Sequence, residues 1–163
     1  DCYQLALGSS NSSGKMVMES SSDMSYLLGQ AKESRTNSHV ITEVVDIVTL
    51  DYFCHSKKID QINYLKIDTE GRDLEVLKGA ANMLTEQKID FVEVEAGMNP
   101  RNNRHVPFEA LKKFLESHGY FLFGIYEQVN EFPTGEPHLR RTNSLFISHR
   151  TIKMNRKSTE ASA

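Results

Sequence analysis

Apolar and polar positions alternate along the chain in a way that predicts strands followed by helices. Apolar runs rich in β-branched residues predict strands at 40–48, 62–67 and 89–95. Apolar positions recur at helical spacing between 72 and 84 and again between 107 and 118. Strands that alternate with helices are typical of a parallel α/β sheet, with helices packed on both of its faces.

A helix start follows the strand predicted at 40–48. Thr49 is a suitable N-cap, because its hydroxyl can accept a hydrogen bond from a backbone amide of the first turn. Asp51 lies in that first turn, where the helix dipole favours a carboxylate. A short helix is therefore expected immediately after this strand.

The C-terminal part of the pattern departs from the alternation. Residues 120–126 and 145–148 predict two strands, and the loop between them contains proline and glycine. Two strands without a crossover helix can pair antiparallel. The predicted fold is therefore a doubly wound, mostly parallel α/β sheet with helices on both faces and an antiparallel C-terminal hairpin. We expect one domain over 1–148 and a basic tail over 149–163 that is disordered, since it lacks apolar periodicity.

Composition and charge narrow the class of protein. The 163 residues are enough for one domain, and 19 basic against 22 acidic residues give a net charge of -3. This balance argues against a nucleic-acid binder, whose surface carries an excess of Lys and Arg. No apolar run reaches the roughly 20 residues that span a membrane. Cys2 and Cys54 have neither metal-site nor redox-motif spacing, so free thiols and a cytoplasmic location are expected.

Acidic residues follow two consecutive predicted strands. Asp68 and Glu70 come after the strand at 62–67, and Glu95 ends the strand at 89–95. Ligands of open α/β sheets bind at the carboxyl ends of strands, and a right-handed crossover makes these two strands neighbours or near neighbours. We expect the three carboxylates to converge on one rim, where they suit a general base or a metal site. Glu70 could instead serve only the N-terminus of the next helix.

Lys66 lies on the same strand and is a further candidate for catalysis. A lysine on a largely buried strand must reach solvent or find a partner. An ion pair with Asp68 or Glu95 is therefore the structural alternative for this residue.

Polar residues near the last predicted strand form a second candidate site. Arg140, Arg141 and Asn143 precede that strand, and Glu127 follows the strand before it. Guanidinium and amide groups can hydrogen-bond a polyhydroxylated or anionic substrate. Alternatively, the arginines belong to a solvated loop and pair with Glu127 or Glu131.

The six histidines are scattered and show no ligand spacing, so no metal site is predicted from them. A metal-dependent hydrolase that uses the three carboxylates at 68, 70 and 95 is a third possible function. Tight binding of a divalent ion would support it.

The stretch around Asp68 resembles a known family. It contains Lys66-Ile67-Asp68-Thr69-Glu70-Gly71, which is preceded by Leu50-Asp51 and followed by Glu75-Val76-Leu77-Lys78-Gly79-Ala80. This combination resembles the FkbM family of sugar and polyketide O-methyltransferases, and the resemblance covers roughly residues 1–148. The opening Ala6-Leu7-Gly8, the strand at 89–95 and the segment at 140–146 also fit that family.

The resemblance implies a class I, Rossmann-like methyltransferase sheet and transfer of a methyl group from S-adenosylmethionine to a hydroxyl. The acceptor would be a small molecule or a glycan: a sugar, glycolipid or polyketide. The implied catalytic residues are Asp68, Glu70 and Lys66, with Asp68 as base or acceptor-orienting group. The implied cofactor contacts are Ala6, Leu7 and Asp68. The implied substrate contacts are Glu95, Glu127, Arg140, Arg141 and Asn143.

The sequence departs from the family at its cofactor motif. No two of the nine glycines lie two positions apart, so the glycine-rich turn that grips the cofactor is missing. We therefore expect weak or absent cofactor binding and little activity by this chain alone, and a non-catalytic binding or assembly module derived from a methyltransferase is the alternative function. Missing N-terminal strands would also expose one flank of the strand at 62–67. A homodimer, an upstream segment or the stretch at 20–38 is expected to cover that edge.

Overall fold

The computed structural model describes residues 1–18, 26–27, 41–102, 104–131 and 135–160. The chain is a mixed α/β protein with two four-stranded sheets. Sheet A contains β1 (Ala6–Leu7), β2 (Ser12–Met18), β3 (Tyr26–Leu27) and β4 (Ile41–Val48) in the order β1-β4-β2-β3. Sheet B contains β5 (Ile62–Ile67), β6 (Ile89–Gly97), β7 (Tyr120–Asn130) and β8 (Leu139–Ser148) in the order β5-β6-β8-β7. The helices are α1 (Leu50–Lys57), α2 (Asp73–Lys78), α3 (Ala81–Thr85), α4 (Phe108–Ser117) and α5 (His149–Glu160).

Both sheets are mixed, and the mostly parallel arrangement is not confirmed. The parallel pairs are β1 with β4 and β5 with β6. The remaining strand pairs of the described residues are antiparallel. In sheet B the reason is that β8 returns directly from β7 and inserts between β6 and β7. The predicted antiparallel C-terminal hairpin is present as β7 and β8.

The hydrophobic core lies on one face of sheet B, against helices α1 to α4. Its fully buried members include Val92 and Val94 of β6, Leu77 of α2 and Leu111 of α4. Cys54 of α1 is also buried in this cluster. These residues fall at the spacings that predicted the strands and helices, because the same periodicity that marks an element also marks its buried face.

The opposite face of sheet B carries a row of apolar side chains whose two outer members are about half exposed. Tyr64 pairs with Phe91, Phe91 with Ile147, and Ile147 with Phe121, so these four side chains share one face. Tyr64 is 51% exposed and Phe121 is 48% exposed. The prediction of helices on both faces is therefore not confirmed within the described residues, where the core-forming helices occupy one face.

Helices α2 and α3 replace the single helix predicted for 72–84. The break lies at Gly79, where an added Cβ would be 2.0 Å from the backbone oxygen of Gly8. Asp51 stabilises the second helix: its carboxylate accepts hydrogen bonds from the amides of Asn82 (2.9 Å) and Met83 (3.0 Å). The amide of Asp51 donates to the carbonyl of Gly79 at 3.0 Å. We call the contact among Gly8, Asp51 and Gly79 the junction; it joins β1, α1 and the α2–α3 pair.

Thr49 caps α1 as predicted, since its hydroxyl accepts a hydrogen bond from the amide of Tyr52 at 3.1 Å. Asp51 also lies in the first turn of α1, but its hydrogen bonds go to the start of α3. The carboxylate therefore serves two helix N-termini at once.

The C-terminal tail is helical up to Glu160, which corrects the expectation of disorder over 149–163. The start signal is Ser148, whose hydroxyl accepts a hydrogen bond from the amide of Thr151 at 3.1 Å. Thr151 also donates to Asp90 at 2.8 Å and so attaches α5 to β6. Capping and this tertiary contact replace the apolar stripe that the tail lacks. None of the helices in the described ranges is long and apolar enough to cross a membrane.

Candidate active site

The turn after β5 aims an acidic side chain at a neighbouring loop. Glu70 and Gly71 both adopt positive φ angles, 52° and 98°. At Gly71 an added Cβ would lie 2.1 Å from the backbone oxygen of Arg104, so only glycine fits there. The turn is thus packed backbone to backbone on the loop between β6 and α4. Glu70 accepts a hydrogen bond from Arg104 Nε at 2.6 Å across this contact.

Five charged or titratable side chains meet at the carboxyl ends of β5 and β6. Arg141 Nη1 lies 2.6 Å from Glu95 Oε1, and Arg104 Nε lies 2.6 Å from Glu70 Oε2. His105 Nε2 lies 3.0 Å from Glu95 Oε2 and 3.8 Å from Glu70 Oε2. We call Glu70, Glu95, Arg104, His105 and Arg141 the rim cluster. Its two carboxylates each face an arginine, and the histidine lies between them.

Glu95 is the most constrained acid of the rim cluster, with 5% of its surface exposed. Burial by itself would raise its pKa, because it removes the charged form from water. The adjacent His105, followed by Arg141 and Arg104, outweighs burial and holds the pKa of Glu95 below its ordinary value. Glu95 is therefore an anion that its neighbours hold in place, which fits binding and orientation better than proton transfer.

Asp73 is a second buried acid, at the start of α2 and only 1% exposed. Burial raises the pKa of Asp73 to about 6, although a hydrogen bond from Thr69 Oγ1 at 3.0 Å opposes the change. Its Oδ1 atom has no hydrogen-bond partner among the described residues. The negative charges of Glu95 and Asp68 raise the pKa of Asp73 further.

Asp68 lies apart from the rim cluster, on a cavity of about 520 Å³. We call it the β1–β5 cavity; its lining includes Leu5, Ala6, Leu7, Lys66, Asp68 and Arg72. The three residues predicted to touch a cofactor, Ala6, Leu7 and Asp68, therefore share one cavity. Lys66 Nζ lies 3.6 Å from Asp68 Oδ2, and both side chains are about half exposed. The expected convergence of three carboxylates is realised for Glu70 and Glu95, whereas Asp68 faces this cavity.

The residues predicted for substrate binding lie in β8 and on β7 rather than in a loop. Because β8 begins at Leu139, Arg141 and Asn143 are alternate residues of a strand and share a face. Arg141 contacts Glu95, and Asn143 Nδ2 donates to Glu127 Oε2 at 2.8 Å. The pairing with Glu127 in the solvated-loop alternative is thus made by Asn143. The backbone oxygen of Arg140 accepts hydrogen bonds from the amide of Met98 and from the side chain of Asn102.

Sequence reasoning missed Arg104 and His105. They belong to the loop between β6 and α4, which folds back so that the amide of Gly97 donates to the carbonyl of Val106 at 2.8 Å. No fixed spacing relates them to Glu70 or Glu95. The available signal was weaker: a polar, basic loop directly follows a strand that ends in an acid.

Comparison with known proteins gives two matches. The family model described as Methyltransferase FkbM domain matches residues 1–122, which include the turn after β5, the end of β6 and the loop with His105. Hexuronic acid methyltransferase AglP of Haloferax volcanii is 34% identical over 98 residues, which make up 60% of this chain and 38% of that protein. The match thus spans well under half of the relative's length. No solved structure matches the chain.

Proposed function

Because this chain belongs to the FkbM methyltransferase domain family, we propose that it acts in the transfer of a methyl group from S-adenosylmethionine to an oxygen of a sugar or a related polyhydroxylated acceptor. One observation carries the proposal. The β1–β5 cavity and the rim cluster lie at the carboxyl ends of β1, β5 and β6, where open α/β sheets bind their ligands.

The β1–β5 cavity fits S-adenosylmethionine in its chemistry. Leu5 and Leu7 offer apolar surface for a flat aromatic base, Asp68 can accept hydrogen bonds from hydroxyl or ammonium groups, and Arg72 can pair with a carboxylate. When bound, the cofactor supplies a methyl group on a positively charged sulfur. The lining of the cavity carries two positive side chains, Lys66 and Arg72, and one negative side chain, Asp68. This excess of positive charge attracts the carboxylate end of the cofactor and repels its sulfonium.

Asp68 is the proposed base or acceptor-orienting group. Its carboxylate is half exposed at the mouth of the cavity and can accept the proton of a hydroxyl that enters from solvent. Lys66, 3.6 Å away, is proposed to restrain the position of that carboxylate. Glu70 is proposed to assist from the rim cluster, where Arg104 orients it.

The acceptor is proposed to lie along β8 and β6. Glu127 is exposed and is held by Asn143, so it can accept hydrogen bonds from sugar hydroxyls. Arg141 orients Glu95 and adds positive charge beside it. The relative from Haloferax volcanii is named as a hexuronic acid methyltransferase. We therefore propose an acidic sugar as the first acceptor to test, in free or glycan-bound form.

Calorimetric titration with S-adenosylmethionine and with its demethylated product tests the proposal. Saturable binding at micromolar affinity would support the proposal, and Asp68→Asn should weaken it about tenfold, since an ion pair or charged hydrogen bond contributes about 1.4 kcal/mol or more. Asp46→Asn is the matched control, because Asp46 is an exposed aspartate on β4 outside the cavity. Binding unchanged by Asp68→Asn would move the cofactor elsewhere. No binding at all would withdraw the enzymatic proposal for these residues.

A second proposal is a non-catalytic binding or assembly module, because no G-x-G motif exists in the sequence. It also draws on the position of β5, which is an edge strand of sheet B and pairs with β6 alone among the described strands. We propose that the outer edge of β5 takes a further parallel strand, from an N-terminal segment or from a second copy. Sheet B would then be half of a doubly wound sheet over a domain of 1–148. Sedimentation equilibrium at several concentrations distinguishes a homodimer from a monomer.

We also propose a cytoplasmic location, on the ground that both cysteines are free thiols. The net charge of -3 is unfavourable for binding nucleic acid, so we propose that the partners of this chain are of another kind.

A further inference from the structure

Three potential ligand atoms converge inside the rim cluster from three different segments. Glu70 comes from the turn after β5, Glu95 from β6 and His105 from the loop before α4. One atom from each side chain lies within 4.8 Å of the other two. The side chains of Glu95 and His105 are 7% and 3% exposed, whereas that of Glu70 is 21% exposed. Solvent therefore reaches the three atoms from the side of Glu70.

The hydrogen bonds of Asn102 determine which nitrogen of His105 carries a proton. Asn102 Nδ2 donates to the carbonyl of Arg140 at 2.8 Å, and its Oδ1 accepts from the amides of Arg104 and His105, both at 3.2 Å. Because Oδ1 can only accept, His105 Nδ1, 3.0 Å away, must be the donor of that contact. Nε2 is then the ring nitrogen left for a second partner, and it faces the carboxylate of Glu95.

A cation belongs between His105 and Glu95 at the centre of the cluster, either a proton on Nε2 or a metal ion. His105 Nε2 and Glu95 Oε2 are 3.0 Å apart, yet Oε2 has no hydrogen-bond partner among the described residues. Leaving a buried carboxylate oxygen without a partner is costly. Arg141 does not satisfy it, because Nη1 binds the other oxygen, Oε1. A cation between the two atoms would satisfy both.

We propose that Glu70, Glu95 and His105 bind one divalent transition-metal ion, through Nε2 of the histidine and one oxygen of each glutamate. The contact from His105 Nδ1 to Asn102 is the outer-shell hydrogen bond that usually fixes the tautomer of a metal-binding histidine. One imidazole and two carboxylates suit Zn²⁺ or Mn²⁺ better than Mg²⁺, which prefers oxygen ligands and water. Arg104 and Arg141 each engage a glutamate and balance its charge, so the site is of moderate affinity.

This site goes beyond the proposed methyl transfer, and its occupancy does not depend on it. If the methyl transfer is correct, the side open at Glu70 would admit oxygen atoms of the acceptor as further ligands. The metal experiment uses no cofactor and no acceptor, so its failure is distinct from failure of the calorimetric titration with S-adenosylmethionine.

The test is a titration of the full chain, freed of metal with EDTA, with ZnCl₂ by calorimetry and with MnCl₂ by electron paramagnetic resonance. We expect one ion per chain. His105→Asn and Glu70→Gln should each weaken binding at least about tenfold, since even outer-shell changes at metal sites cost about 10–100-fold. His138→Asn is the matched control, because His138 contacts Glu136 at 3.4 Å outside the cluster; it should leave the affinity unchanged.

Nitrogen-15 NMR of the histidine rings gives a readout that a structural role would not move. We expect Zn²⁺ to shift Nε2 of His105 selectively, while Nδ1 keeps the proton that it donates to Asn102. Should His105→Asn fail to fold, Glu70→Gln and this spectrum still decide the question. Absence of saturable binding, full binding by both variants, or a doubly protonated His105 that ignores Zn²⁺ would each overturn the proposal.

Discussion

The junction and the rim cluster both use residues of the family-specific stretches, yet they rest on different interactions. The junction is made by backbone groups and one carboxylate: Gly79 packs on Gly8, and Asp51 caps α3. The rim cluster is made by ion pairs between side chains, such as Glu70 with Arg104. At the junction the backbones of Gly8 and Gly79 are in direct contact, whereas the rim cluster contains a buried oxygen of Glu95 that has no hydrogen-bond partner among the described residues. A family motif therefore mixes residues that fix the fold with residues that offer chemistry, and geometry separates them.

The largest effect expected from this difference is at Gly79. In Gly79→Ala the new Cβ would lie 2.0 Å from the backbone oxygen of Gly8, so main chain must move. We expect a loss of about 3 kcal/mol or more in the free energy of unfolding, measured with urea. Gly135→Ala is the control: nothing lies within 4 Å of its Cβ, and only its positive φ of 67° costs about 1 kcal/mol. Equal stability of the two variants would show that the junction is looser than described.

The next largest effect is a pH dependence of stability that arises from Asp73, a buried acid whose pKa the nearby Glu95 of the rim cluster helps to raise. Its pKa is raised to about 6 in the folded chain, from an ordinary value of 3.8. The folded state therefore binds the proton more tightly than the unfolded state, and stability falls as pH rises from about 4 to above 6. The fall should reach up to about 3 kcal/mol, at 1.36 kcal/mol per pKa unit.

Urea unfolding at pH 4.5 and pH 7.5 measures this dependence in the parent chain and in Asp73→Asn. The difference between the two pH values should shrink in the variant, because asparagine does not titrate. If stability depended on pH equally in both chains, the dependence would come from acids other than Asp73.

The smallest effect concerns the carboxylate of the junction. Asp51→Ala removes two hydrogen bonds to the start of α3, so we expect a loss of about 1–2 kcal/mol, as for other helix caps. Asp51→Asn should recover part of it, since the amide oxygen can still accept one of the two bonds. Thermal unfolding monitored by circular dichroism suffices to rank the three chains. If the Asp51→Ala and Asp51→Asn variants were equally stable, the proposed capping of α3 by Asp51 would be wrong.

Local pattern predicted much of the fold, because strands and caps depend on neighbours in sequence. Strand β5 spans Ile62–Ile67 as predicted, and Thr49 caps α1. The break between α2 and α3 was not predictable, since it depends on Gly8, some 70 positions away. The same holds for strand order in sheet B, where β8 lies between β6 and β7.

The candidate site was predictable only in part, for a similar reason. The carboxyl ends of parallel neighbours must share an edge, so Glu70 and Glu95 were expected to meet, and they do so through His105. His105 itself comes from an irregular loop whose path is set by the hydrogen bonds of Asn102. No periodicity encodes such a path. Roles assigned to Asp68, Lys66 and the residues of β8 stay predictions.

The close packing of Gly71 on the carbonyl of Arg104 has a mechanical consequence. Two backbones in direct contact cannot slide past each other without separating, so the turn after β5 and the loop before α4 should move as one rigid lever. Pressure from a ligand on that loop would then be transmitted through Glu70 to Asp68, two residues earlier, at the mouth of the β1–β5 cavity. Occupancy at the loop before α4 would thus be sensed at the β1–β5 cavity without any long-range rearrangement.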